Sequence, residues 1–299
     1  MVETTASGHT DASGRKITAF PAFGAEGPVI QFAETSTSDT RDLLEGVVDM
    51  MISADPSVID YAEGQPELEV VALDWDVTYL LLSTSRVKEI RRGGKVGLLP
   101  LDFMNRLAQD ALSVDARGYM PLSWLEQINT CIELSRTVPG PPPVPLGAYT
   151  TSVERRIVYE LKDQVARGLA ERIVALASTD TSISPEAAIL ASAVPGLARD
   201  ASRIIAEGLP ADKFASSLRK GDDFAYIVSI PQQSVDPCYE AGRLIKRAHW
   251  LALEEMDLTT ALIPLVDTRR HVIASRGRLG LSVDWNGDIL VTSHISRER

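Results

Sequence analysis

Residues Glu67 to Thr84 read ELEVVALDWDVTYLLLST, and this β-rich run restricts the fold more than any other segment. Its middle alternates, with Leu73, Trp75, Val77 and Tyr79 on one side of a strand and Asp74 and Asp76 on the other. Just before it, Asp55-Pro56 supplies a helix cap followed by proline at the first helical position, where a missing N–H costs nothing. Val58, Ile59 and Ala62 share one face of that helix, and Gly64 closes it. A similar unit precedes this one: Ser38 caps a helix with Asp39 in its first turn, Leu43 and Leu44 form its stripe, and Gly46 ends it. Val47 to Ile52 then reads as a short buried strand. Short helices alternating with apolar strands predict an α/β domain.

Further along, Leu99 to Leu112 and Trp124 to Leu134 are expected to be helices. Pro139 to Pro145 (PGPPPVP) holds five of the 17 prolines and can only be an extended, stiff connector. Arg155 to Leu161 predicts a strand. Asp163 to Ala177 predicts an amphipathic helix with Val165, Leu169, Ile173 and Leu176 on one side. Helices broken at Pro195 and Gly208 are expected over Pro185 to Lys220, then a strand at Ala225 to Ile230 and a helix at Gly242 to Leu253. Val272 to Ala274 predicts a strand, and Leu281 to Trp285 with Asp288 to Val291 a hairpin across Asn286-Gly287. Residues 1–14, rich in Ser, Thr, Gly and Asp, read as a disordered tail.

Composition narrows the function classes. With 30 basic and 41 acidic side chains in 299 residues, the net charge of −11 opposes nucleic acid and anionic lipid. A partner of either kind would need a local basic patch, and the one candidate, Arg86 to Lys95, reads as a solvated loop. No apolar stretch approaches the roughly 18 residues of a membrane span. The first fifteen residues carry neither a basic nor an apolar signal region. The chain is thus expected either to stay in the cytoplasm or to begin downstream of a natural start that carries a signal. Cys131 and Cys238 are too far apart in sequence to suggest a disulfide framework, and the four histidines have no metal-ligand spacing, so no cofactor is expected.

Catalytic patterns are scarce. RRGGKVG (Arg91 to Gly97) lacks the spacing that wraps a phosphate, and no nucleophile elbow exists. Asp74 and Asp76 could act as paired carboxylates or simply form the solvated side of a strand. Trp75, Tyr79, Trp250 and Trp285 have the flat apolar faces and polar handles that suit a small-molecule pocket, or a core.

Three segments in order carry a resemblance. RDLLEGVVDMMISADPSVIDYA followed by LEVVALDWDVTYLLLS (Arg41 to Ser83), RRIVYELKDQVARGLAERIVALA (Arg155 to Ala177) and GDDFAYIVSIPQQSVDPCYEAGRLIKRAHWL (Gly221 to Leu251) together resemble the extracellular solute-binding proteins of family 5. These are the oligopeptide and dipeptide binders of ABC importers. The resemblance implies a periplasmic-binding-protein-like (type II) two-lobed α/β fold, with one lobe incomplete because the chain starts close to the first helix–strand unit. It further implies first-lobe residues 15–84 with a crossing strand, a second lobe over 85–223, and a return to the first lobe over 224–299. Leu73 to Leu82 and Phe224 to Val235 would be the crossings. Trp75, Asp76, Tyr79, Gln233, Ser234 and Asp236 would line a ligand cleft. Peptide binders of this family place an aspartate three residues before their Asp-Pro pair; here Asp236-Pro237 is preceded by Gln233, which puts amino-terminal capture in doubt.

The expected function is therefore non-catalytic binding of a small or peptide-like solute, with an ABC permease as partner and a periplasmic or cell-surface location if a signal precedes the chain. The competing reading is a truncated binding fold acting inside the cell as a regulatory or protein-interaction module, with a second copy as one partner. An enzyme using Asp74 and Asp76 ranks below both.

Overall fold

The structure, a computed structural model, describes residues 7–10, 16–20, 30–33, 41–45, 48–112, 116–118, 155–180, 182, 184–197, 204–231, 237–251, 258–276, 279–283 and 289–293. Its strands are β1 (Ser7–Thr10), β2 (Lys16–Phe20), β3 (Ile30–Ala33), β4 (Met50–Ser53), β5 (Leu68–Ser83), β6 (Ala116–Gly118), β7 (Arg155–Glu160), β8 (Ile204–Leu209), β9 (Ala225–Pro231), β10 (Leu262–Ser275), β11 (Leu279–Val283) and β12 (Ile289–Ser293). The helices are α1 (Arg41–Leu44), α2 (Pro56–Glu63), α3 (Thr84–Arg91), α4 (Leu101–Ala111), α5 (Gln164–Ala177), α6 (Pro185–Ala193), α7 (Ala211–Lys220), α8 (Pro237–Arg247) and α9 (Leu258–Ala261), with a 3-10 turn at His249–Leu251.

The main sheet runs β4-β10-β5-β9-β7-β8, with β6 also pairing β10. Its axis is an antiparallel ribbon in which β10 follows β5 from Leu262 opposite Leu82 to Ser275 opposite Leu68. β9 pairs antiparallel with the Val77–Ser83 half of β5, and β7 and β8 extend that side in parallel. Helices cover both faces there, so the strands read as apolar runs instead of simple alternation. Tyr79, Leu81, Ile157, Ile227 and Leu265 pack with Phe103 and Leu107 of α4 and Leu169 and Ile173 of α5. On the opposite face Leu80, Leu82, Val158, Tyr226, Val228 and Leu262 pack with Phe214 of α7, Leu244 of α8 and Trp250. The far end of the ribbon belongs to a smaller cluster of Leu43, Ala62, Leu68 and Ile273.

Most local expectations hold. Asp55 accepts from the Ser57 N–H at 2.9 Å with Pro56 beginning α2, and Asp163 accepts from the Ala166 N–H at 2.9 Å to open α5. β11 and β12 pair antiparallel as the expected hairpin requires, but β11 ends at Val283 and β12 starts at Ile289, and Asn286-Gly287 lies outside the described residues. The helix expected at Trp124 to Leu134 and the connector at Pro139 to Pro145 lie outside the described residues.

Several readings are corrected. Residues 204–209 are a strand, not helix, because a parallel partner in β7 outweighs the weak preference of IIAEGL. Val47 to Ile52 is not a buried strand: β4 lies at a sheet edge with Ile52 exposed. β10 starts at Leu262, well before the expected Val272, because Pro264 sits at a register shift where a strand tolerates proline. The long partner of β5 is thus β10, while β9 reaches only as far as Val77. Ser7–Thr10, read as tail, is a strand paired with β2.

Arg86, taken as part of a solvated loop, is buried in α3. Its Nε donates to the Thr260 carbonyl at 2.8 Å, and its Nη1 donates to the Gly97 and Ala193 carbonyls at 2.7 and 2.6 Å. Burial pulls its pKa down to about 10, so it stays charged at neutral pH. Next to it, the Thr84 hydroxyl donates to the carbonyls of Asp223 and Phe224 at 2.8 and 2.9 Å. Asp223, also buried, is held by Arg156 at 2.5 Å and by the Ser217 hydroxyl. Gly221 ends α7 at φ +68°, where a Cβ would press on the Trp250 ring. Arg86→Met orphans the buried Ala193 carbonyl and the half-buried carbonyls of Gly97 and Thr260; the buried one alone is expected to cost about 1–3 kcal/mol of stability. Arg86→Lys recovers only part of it, because one ammonium lacks the planar fork. Urea midpoints of the two variants at an unchanged m-value check this.

Candidate functional site

The middle of the ribbon is its least covered part. On the outer edge of β10, β6 pairs with Val266–Thr268 and β4 with His271–Ala274, leaving Arg269 and Arg270 between them. The register shifts on both sides of Arg269, which stands opposite Trp75. This bulged stretch interrupts the regular ladder and carries two adjacent charged side chains.

Trp75 is the centre of the group. The guanidinium carbons of Arg117 and Arg269 lie 4.2 and 4.9 Å from its ring centroid, a cation–π arrangement at a half-buried indole. Arg117 also approaches the fully buried Asp267 at 3.4 Å, and Asp267 accepts from the Thr78 hydroxyl at 2.6 Å. Asp76 accepts from Arg270 Nε at 2.5 Å through Oδ2. Its Oδ1 is shielded from solvent and has no hydrogen-bond partner among the described residues. Asp74 is exposed, so Asp74 and Asp76 do not form a matched carboxylate pair.

Beside this group runs a narrow crevice. Ala54, Pro56 and Ile59 wall it on the α2 side, Leu112 and Val165 on the side of α4 and α5, and Thr268, Arg269 and His271 line it from β10. Its room is about 10 Å³, near the minimum for one water. The N-terminal ends of α2 and α5 both contribute to it, and each carries a partial positive charge.

Tyr79 lies one turn of the pleat further into the core. Its hydroxyl donates to Asp163 Oδ1 at 3.1 Å, tying β5 to the carboxylate that caps α5. Burial, followed by the negative charge of Asp163, raises the Tyr79 pKa well above the ordinary phenol value, so it remains a neutral donor. Burial also raises the Asp163 pKa, against the opposing effect of the hydrogen bonds from Ala166 and Tyr79.

No family model and no curated protein matches the sequence. Solved structures do match. NikA from Brucella suis, in complex with Fe(III)-EDTA, aligns with 97% of this chain and 67% of its own at 8% identity and a TM-score of 0.50. NikZ from Campylobacter jejuni, in complex with Ni(L-His), aligns with 92% of this chain and 63% of its own at 11% identity, again at 0.50. A dipeptide binding protein from Pseudoalteromonas sp. SM9913, in complex with Met-Leu, aligns over 91% and 60% at 10% identity and 0.49. The chain has the periplasmic-binding-protein-like fold. It spans 60–67% of the length of these three chains.

Within this fold the expected site residues divide. Trp75 and Asp76 lie in the exposed mid-ribbon group, whereas the Tyr79 hydroxyl is engaged by Asp163 in the core. Gln233, Ser234 and Asp236 lie outside the described residues. Arg117, Arg269 and Arg270 were not anticipated; the doublet TRRH inside an otherwise apolar β run was the signal available for two of them. No group of three or more metal-ligating side chains occurs among the described residues.

Because the folded pKa of Asp163 lies above its unfolded value, the folded state binds the proton more tightly. The carboxylate's contribution is therefore most favourable at acid pH and declines as pH rises through the raised pKa. Asp163→Asn keeps an acceptor for both Tyr79 and the helix cap without a buried charge. Its stability relative to the parent is expected to rise with pH from about 3 to 7. Asp163→Ala, lacking the cap, is expected to lose about 1–2 kcal/mol. Denaturation at several pH values distinguishes the two.

Proposed function

We propose that the chain is a non-catalytic binding protein for a small, peptide-like solute, working as the substrate-binding component of an ABC importer. The observation that carries this reading is the mid-ribbon group, where an indole meets two guanidinium groups beside a crevice between the two ends of the fold. Such a group offers a flat apolar face and charge-assisted donors for a carboxylate, the mixture that small-ligand sites use. The ligand forms of the fold's solved relatives, Fe(III)-EDTA in NikA and Ni(L-His) in NikZ, contain carboxylates of this kind.

On this reading Trp75 and Asp76 contact the solute, and Tyr79 holds the floor of the site through Asp163. β9 ends with Pro231 opposite Val77, which is two residues from Trp75 in β5, and Gln233 follows Pro231 by two positions in sequence. That connectivity supports Gln233, Ser234 and Asp236 as the other ligand-binding residues. Residues 15–84 and 224–299 then form one lobe and 85–223 the other, with the crossings at Leu73 to Leu82 and Phe224 to Val235. No helix among the described residues is long and apolar enough to cross a membrane. The proposed place of action is the periplasm or cell surface, delivering solute to a permease.

Dipeptides, free amino acids and anionic metal chelates can be screened by thermal shift. A true ligand at about 100 times its Kd is expected to add about 2.7 kcal/mol of stability. Trp75→Ala, at a half-buried position, should raise that Kd at least about tenfold while leaving the unliganded chain folded. Failure of every small solute to stabilise the chain would sink the reading.

A further inference from the structure

The loop from Arg92 to Pro100 and the turn of α3 before it play no part in the solute site. Four cations, Lys88, Arg91, Arg92 and Lys95, stand here against two carboxylates, Glu89 and Asp102, in a chain of net charge −11. Arg91, Arg92 and Lys95 are exposed. Burial, then the nearby Arg92 and Arg91, lower the pKa of Lys88.

The loop is anchored at a defined point. The Gly97 N–H donates to the Ser192 carbonyl at 2.9 Å, and the Gly97 carbonyl accepts from buried Arg86 at 2.7 Å. A Cβ at Gly97 would overlap Ser192, so glycine is required for this close approach. Gly93 takes φ +75° to turn the chain out of α3. The next residue after the anchor, Leu98, is nonetheless 75% exposed, and Leu101, at the start of α4, is 49% exposed. A side chain held in water by a fixed backbone is not explained by packing.

We infer that this loop docks onto an anionic lipid surface, with Leu98 and Leu101 entering the headgroup boundary and Arg92 and Lys95 meeting lipid phosphates, while Arg91 Nη2 donates to the Trp250 carbonyl at 3.0 Å and holds the end of α3 in place. Charge complementarity and protruding leucines are the two components of interfacial binding. The acidity of the remaining chain does not forbid it, because exposed charges more than about 8 Å away are largely screened at physiological salt. A protein partner would need some 800 Å² of matched surface per side, whereas a bilayer accepts single projecting side chains. Leu98 in the loop and Leu101 at the start of α4 are two exposed leucines three positions apart and suit the second case.

Co-sedimentation of the full chain with vesicles tests this, using phosphatidylglycerol mixed with phosphatidylcholine against phosphatidylcholine alone. The chain should sediment with the anionic vesicles at low salt and not with the neutral ones. The double variant Arg92→Glu, Lys95→Glu should weaken binding at least about 25-fold, from the loss of roughly fivefold per cation. Leu98→Ser should weaken it about tenfold at unchanged charge. Both act at exposed positions, so an unchanged melting temperature certifies the fold. Equal binding to neutral vesicles, no binding at low salt, or parental binding by the charge variant overturns the inference. So does tight binding of soluble polyglutamate that is indifferent to Leu98→Ser, which would indicate an acidic polypeptide partner. None of these outcomes depends on the solute.

Discussion

The antiparallel pairing of β5 with β10 is the constraint from which the rest of the described structure follows. An isolated two-stranded ribbon is at best marginally stable in water, so each length of it must find cover. At the Tyr79–Leu82 end that cover comes from β9 and from helices on both faces. At the Leu68 end it comes from β4, α1 and α2. Between these, neither β4 nor β6 pairs with Arg269 and Arg270, and the ladder shifts register. Polar and aromatic side chains gather there because the ribbon is not sealed into an apolar layer at that point. The place where the fold is least covered is also the place where it can present an indole and two guanidinium groups together.

Charged groups in the interior show how differently burial is compensated. Arg86 has no carboxylate partner among the described residues, yet its fork meets three carbonyls from three separate segments, so the desolvated charge acts as a clamp. Asp223 is met by Arg156 and by a hydroxyl, and it holds the turn after α7 against α3. Asp163 is different: a helix cap and a phenol are neutral donors, and they do not offset its desolvation. Burial thus lowers the Arg86 pKa and raises that of Asp163, each in the direction that disfavours the charged form.

Local chemistry made much of the fold legible. The caps at Asp55 and Asp163, the strand at β5, the helix at α5 and the pairing of β11 with β12 all follow from turn residues and periodicity, which are short-range signals. What stayed hidden depends on partners distant in sequence. IIAEGL becomes β8 only because β7 lies alongside it, and Pro264 interrupts the pattern of β10 because a bulge cannot be seen before the ladder is known. Arg86 belongs to a run of basic residues on paper, and its burial comes from carbonyls at positions 97, 193 and 260. The site was half legible for the same reason. Trp75 and Asp76 stand out in an apolar strand, whereas Arg117 and Arg269 converge on Trp75 from β6 and β10.

The charges around the proposed site also bear on which end of a solute it would hold. Where the peptide binders that the sequence resembles carry an aspartate, this chain has Gln233, whose amide can accept a hydrogen bond from an ammonium without opposing its charge. Around Trp75, Asp267 approaches Arg117 and Asp76 accepts from Arg270, while Arg269 and the N-terminal ends of α2 and α5 line the crevice. On the proposed reading, guanidinium groups here would meet a solute's acid group with charge-assisted bonds, roughly twice as strong as neutral ones. Asp76 Oδ1, shielded and without a hydrogen bond among the described residues, supplies the acceptor that a neutral N–H of the same solute would need. On the proposed reading an amide-bearing acid would meet both groups, whereas a cationic terminus would meet only the Asp76 acceptor.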